Sequence, residues 1–150
     1  MNLTDKINSD IKQAMLAKEK EKLEALRAIK SALLLVKTEK GKDSEITETE
    51  EMSLLQKLVK QRIDAAEIYK KENRMELADV ELFQAEIIKA YLPEQISETE
   101  LKSIVKDIIT ELNAQSVKDM GRVMGKAAQK LAGRADNKQI AEIVKQLLNH

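Results

Sequence analysis

Apolar residues recur along this chain at intervals of three and four, so segment after segment predicts an amphipathic helix. Leu3, Ile7, Ile11, Ala14 and Met15 define the first; Leu23, Leu26, Ile29, Leu33 and Val36 define the second, after the charged link AKEKEK. The stretch KTEKGKDSEIT contains Gly41 and has no periodicity, so it reads as a loop. Thr47 followed three residues later by Glu50 is the capping-box pattern that opens a third helix, with Met52, Leu55, Val59, Ala66 and Tyr69 on its inner face. The segment KKENR breaks that helix before a fourth, from about Arg74 to Ala90, predicted to turn Leu77, Val80, Phe83, Ile87 and Tyr91 inward.

Pro93 then interrupts the pattern, because its ring removes an amide donor and disfavours helix at Leu92. A domain boundary is placed here, with a hinge expected around Leu92 to Ser97. Ser97 and Glu100 repeat the capping box, and Leu101, Ile104, Val105, Ile108 and Leu112 continue the helix it starts. A shorter helix from about Val117 to Leu131 follows, capped by Ser116 and closed near Gly133. Asp136 opens a last helix with Ile140, Ile143, Val144 and Leu147 on one face. The expected fold is all-α and multihelical, with a four-helix domain over residues 1–92 and a three-helix bundle over residues 93–150.

Composition strengthens this reading. Aromatic residues are only 2% of the chain (Tyr69, Phe83 and Tyr91), so Leu, Ile, Val, Met and Ala must fill the core. Four glycines and one proline leave little material for sheet turns. No cysteine is present, which removes disulfides and thiolate metal sites, and the only histidine is His150. No metal or cofactor is expected. The N-terminal MNLTDKINSDIKQAM lacks the pattern of a secretory signal, and the longest apolar run, Ala32 to Val36, is too short to span a bilayer. A cytoplasmic monomer with no membrane contact is the expectation.

The formal charge is zero, yet residues 116–150 hold seven Lys/Arg against three Asp/Glu. Within SVKDMGRVMGKAAQKLAGRAD, Lys118, Arg122, Lys126, Lys130 and Arg134 recur at every fourth residue. Steps of four advance about 400° each, so Lys118 to Lys130 drift about 120° over roughly 18 Å and form one slanted basic face. Such a stripe suits either simple solvation or a phosphate-bearing partner. Gly121 and Gly125 leave bare backbone at a cost of about 1 kcal/mol each relative to Ala. Close approach by another helix of the bundle and by a ribose-phosphate backbone both account for them. With no aromatic residue after Tyr91, RNA would be read by shape and phosphate contacts, not by base stacking.

The stretch KQRIDAAEIYKKENRMELADVELFQAEIIKAYLPEQIS, with DMGRVMG and GRADNKQIAEIVKQLL in that order, resembles the GatB/YqeY family over essentially the whole chain, and in particular its small free-standing YqeY-like members. The resemblance implies a C-terminal three-helix unit similar to the tail of the GatB subunit of glutamine-dependent tRNA amidotransferase, a carbon-nitrogen ligase. There the tail helps to hold tRNA, and the chemistry belongs to other domains. tRNA, and an amidotransferase or another tRNA enzyme, are the partners it implies.

Amide transfer requires a nucleophile, a base, an oxyanion site and a nucleotide cradle, and no motif here supplies them. No catalytic residue is assigned. Glu50 with Glu51 and Asp79 with Glu81 read as helix-start and solvated charges, and Arg62, Arg74 and Glu86 as ion-paired struts of a bundle. Tyr69 and Tyr91 read as core residues with a hydroxyl at the rim, and Met120 and Met124 as packing. Three functions compete: a tRNA-binding accessory protein using Lys118, Arg122, Lys126, Lys130, Arg134, Gly121 and Gly125; a protein-interaction module docking an enzyme or ribosome through its N-terminal helices; and an amidotransferase-type enzyme.

Overall fold

The computed structural model describes residues 2–41 and 43–149, and His150 therefore lies outside the described residues. Among the described residues seven α-helices form: α1 (Leu3–Leu16), α2 (Lys20–Lys40), α3 (Glu48–Lys71), α4 (Met75–Lys89), α5 (Glu98–Leu112), α6 (Met120–Lys130) and α7 (Asn137–Leu148). The chain divides into two compact units, Met1–Leu92 and Pro93–His150.

Helix ends follow from local chemistry. Asn2 accepts the Asp5 amide at 2.8 Å to open α1, and Thr47 and Glu50 close a reciprocal capping box at the start of α3. Lys18, Asn73 and Asn113 adopt left-handed backbone just past α1, α3 and α5, a conformation that asparagine, at two of the three positions, tolerates well. Two boundaries differ from expectation. Helix α2 runs on through KTEK to Lys40, so the loop begins only at Gly41, whose φ is 100°. The expected helix from Val117 begins as a single 3-10 turn, Val117–Asp119, and becomes α-helical at Met120.

In the N-terminal unit, Ile7, Ala14, Ala25, Leu26, Ile29, Leu33, Leu55, Val59, Ala85 and Ile88 form the core. Helices α3 and α4 make a hairpin over the short turn 72–74, and α4 presents a different face from the expected one. It buries Ala78, Ala85 and Ile88, whereas Leu77 and Phe83 remain 43% and 44% exposed. With small alanines on the buried face, α4 can pack closely on its neighbours, and the larger Leu77 and Phe83 side chains are left outside. Met15 of α1, expected inward, is exposed as well.

The C-terminal unit packs Leu101, Val105 and Ile108 of α5 against Val123 and Ala127 of α6, Leu131 and Ala135 of the following loop, and Ile140, Ile143, Val144 and Leu148 of α7. Within the segment Leu92 to Ser97, where a hinge is expected, residues 95 and 96 are hydrogen-bonded to this unit. The Ile96 amide donates to the Arg134 carbonyl at 2.9 Å, and Gln95 Nε2 donates to the Gly133 carbonyl at 2.7 Å. Gly133 is buried with φ of 77°, a conformation that favours glycine.

Candidate nucleic-acid interface

Helix α6 positions most of the basic stripe. Its inner side buries Val123 and Ala127, which turns Arg122, Gly121, Gly125 and Gln129 to solvent. Lys118 precedes α6, in the 3-10 turn, where its amide is held by Ser116 Oγ at 3.3 Å. Arg134 lies beyond the helix end, in the loop leading to α7, and its Nε donates to the Glu94 carbonyl at 3.2 Å.

The stripe does not carry its charge alone. Arg122 meets Asp119 at 2.9 Å, Lys126 meets Glu111 at 2.6 Å, Lys130 meets the other oxygen of Glu111 at 3.9 Å, and Arg134 lies 3.9 Å from Glu100. The hydrogen bond from Lys126 holds the Glu111 carboxyl below its ordinary pKa. The Gln115 amide, and after it the Arg122 guanidinium, do the same for Asp119. Over residues 93–150 the balance is nine Lys/Arg to eight Asp/Glu, so Glu94 and the acids of α5 together offset most of the surplus of the last 35 residues.

Sequence spacing missed these countercharges. Asp119 and Arg122, three apart, were legible as a helix-start pair, but Glu111 is fifteen residues from Lys126 and reaches it only through the packing of α5 on α6. The expected Ser97–Glu100 capping box forms by half: the Glu100 amide donates to Ser97 Oγ at 3.2 Å, while the Glu100 carboxylate is turned to Arg134.

The glycines give the sharper observation. Gly121 and Gly125 are exposed, and a Cβ built on either would meet nothing within 4 Å. Among the described residues no helix packs there, so the bundle-packing account of these glycines is set aside. Both are helical, and the fold would accommodate a side chain at each.

The other singled-out charges serve structure in different ways. Arg62 is a part-buried strut whose Nε donates to Gln84 Oε1 at 3.1 Å and whose Nη1 donates to the Leu58 carbonyl at 3.0 Å; its partner is an amide and not a carboxylate. Glu86 pairs locally with Lys89, at 3.1 Å, and Arg74 is the exposed residue before α4. Tyr91 donates its hydroxyl to Asp10, and Lys6 sits 5.5 Å from the centre of its ring, which ties α1 to the end of α4.

Comparison with known proteins adds a second line of observation. A family model described as Yqey-like protein matches residues 4–148. A Clavispora lusitaniae protein named "Altered inheritance of mitochondria protein 41, mitochondrial" is 32% identical over 114 residues, which is 75% of this chain and 65% of that protein. Its Pyrenophora tritici-repentis namesake is 25% identical over 146 residues, 95% of this chain and 79% of that protein. A glutamyl-tRNA(Gln) amidotransferase component of Sulfurisphaera tokodaii is 32% identical over 117 residues, 75% of this chain but only 18% of that protein. The chain thus spans about two thirds of the first of these relatives and a small part of the third. These names overturn the expectation of a cytoplasmic protein, since several of the relatives are mitochondrial. The features behind it, no secretory pattern and no apolar run long enough to cross a bilayer, do not distinguish the two compartments.

Proposed function

The chain belongs to the Yqey-like protein family, and from that membership we propose that it is a non-catalytic accessory of tRNA-dependent amide transfer that holds tRNA on the outer face of α6. The observation that carries this reading is the pair of exposed helical glycines. Each weakens α6 by about 1 kcal/mol relative to Ala, and nothing among the described residues uses the space they leave. Backbone left bare beside Arg122, Lys126 and Lys130 suits the close approach of a phosphate strand. The similarity to part of an amidotransferase supports tRNA as that strand's source and the enzyme as a second partner. Contacts of this kind position folded RNA by shape and charge.

Titration of the protein with tRNA and with duplex DNA at several salt concentrations tests the reading. Affinity for tRNA is expected to fall as salt rises, with each phosphate contact contributing about 0.7 to 0.9 to the logarithmic slope. The double substitution Arg122→Glu and Lys126→Glu should reduce affinity at least about tenfold while circular dichroism stays unchanged. Equal affinity of the double variant and the parent would remove the assignment. The alternative would then lead: Leu34, Leu35, Ile68, Met75 and Phe83 expose apolar surface on the N-terminal helices, as a protein-docking module would. Purified protein is expected to show no glutaminase, ATPase or amidotransferase turnover.

A further inference from the structure

We propose that Glu111 is an internal competitor for RNA phosphate, occupying the anion position between Lys126 and Lys130 and thereby setting how tightly the α6 face holds its ligand. The inference rests on the RNA-binding reading above. One Glu111 oxygen lies 2.6 Å from Lys126 Nζ and the other 3.9 Å from Lys130 Nζ, so a single carboxylate bridges two ammonium groups one helical turn apart. A phosphate oxygen pair would use the same two donors.

The placement of Glu111 argues that this contact is what holds it there. It is the only charged residue in the last turn of α5, where the partial negative charge of the helix end disfavours a carboxylate. No basic residue of α5 offsets it in that turn, so its stabilisation comes across the helix contact from α6. Glu111 and Lys130 are each about half exposed, which leaves both pairs open to exchange with a solution anion. Glu111 is ionised at neutral pH as any exposed carboxylate is, and the hydrogen bond from Lys126, which holds its carboxyl below the ordinary value, keeps the competitor charged on mild acidification as well.

A phosphate that displaces Glu111 releases a tethered carboxylate in place of mobile counterions. Salt dependence should therefore be shallower in the parent than in a protein lacking that carboxylate. The test uses a tRNA(Gln) transcript and the full chain. Glu111→Gln, nearly identical in shape, should bind roughly three- to tenfold more tightly, with a salt slope steeper by about 0.7 to 0.9 for each lysine freed. Glu111→Asp keeps the charge but withdraws it by one methylene, so an intermediate gain is expected, and this variant serves if the first folds poorly. Glu98→Gln removes an equal charge from the same helix, where Glu98 pairs with Lys102 at 3.6 Å, and should change affinity less than about twofold. Equal binding and equal slope for parent and Glu111→Gln would overturn the competition while leaving the RNA reading intact. An equal gain in Glu98→Gln would overturn it in favour of overall charge. No binding by any form would remove the RNA reading itself, and the competition with it.

Discussion

The two units of this chain bury their apolar residues to different degrees. Among the described residues, the C-terminal unit holds eleven buried side chains in its core and leaves one large apolar residue exposed, Val117. The longer N-terminal unit holds ten in its main cluster and exposes eight, including Leu16, Leu35, Ile68 and Phe83. Ion pairs differ too. Those of the N-terminal unit are mostly between neighbours on one helix, as in Lys60–Asp64 and Lys89–Glu86, whereas Lys126 and Lys130 of α6 and Arg134 of the following loop reach acids of α5. A unit with a closed apolar core and a cross-linked charged surface offers a partner chiefly polar groups. A unit with apolar side chains in water has the surface that protein contacts use.

The contrast breaks first in the small core. Ile108 is fully buried in a unit of 58 residues, so Ile108→Ala should destabilise that unit by about 2–5 kcal/mol, read by chemical denaturation followed by circular dichroism. The next effect belongs to the larger unit. Tyr91→Phe removes the hydrogen bond to Asp10 and should cost about 1–2 kcal/mol, because the lost acceptor is charged and the bond partly buried. Burial first, and then Asp10, push the Tyr91 hydroxyl above its ordinary pKa, so it donates at every pH at which the protein is handled.

Much of the helical order was legible because helix ends carry local signals. Thr47 with Glu50 and Asp136 with Gln139 form reciprocal boxes whose partners lie three residues apart, within the reach of any local pattern. The phase of α4 was not legible. Its sequence offers Leu77, Val80, Phe83 and Ile87 as one stripe, and the alanines that are actually buried look indifferent until tertiary packing sets how closely the helices meet. The candidate site divides along the same line. Lysine spacing shows in the sequence, but the carboxylate that answers it comes from α5 by tertiary packing, and so does the open space at Gly121 and Gly125.

That open space allows a prediction with two opposed signs. Gly121→Ala and Gly125→Ala should each stabilise the C-terminal unit by about 0.5–1 kcal/mol, since the new methyl meets no neighbour and the helix gains propensity. Both should weaken tRNA binding. A variant more stable and equally good at binding would place the ligand elsewhere. A smaller effect is expected in the N-terminal unit: Phe83→Ala should cost less than about 1 kcal/mol, well short of the change expected for Ile88→Ala, because the ring is nearly half exposed. Equal losses at the two positions would mean that α4 turns its other face to the core in solution.

The smallest effect is the response to acid, and it too should separate the units. Glu111 and Asp119 titrate below their ordinary values, 4.5 and 3.8, through hydrogen bonds from Lys126 and from the Gln115 amide respectively. A depressed carboxyl adds stability that is fully present above its unfolded value and is lost as pH falls through the folded one. Both groups therefore weaken the C-terminal unit in the same direction on acidification. In the N-terminal unit two neighbours oppose each other. Glu50 is lowered by its hydrogen bond from Lys40, but Glu51 is raised by burial and then by Glu48, so its ionised form is unfavourable and acid relieves it. Thermal unfolding followed from about pH 7 down to about pH 3 should show the acid limb flattened by Glu111→Gln or Asp119→Asn. Glu51→Gln should instead raise stability slightly at neutral pH and steepen the decline on acidification. An unchanged limb in Glu111→Gln would mean that its bond to Lys126 is not formed in solution, and the proposed competition with phosphate would lose its physical basis.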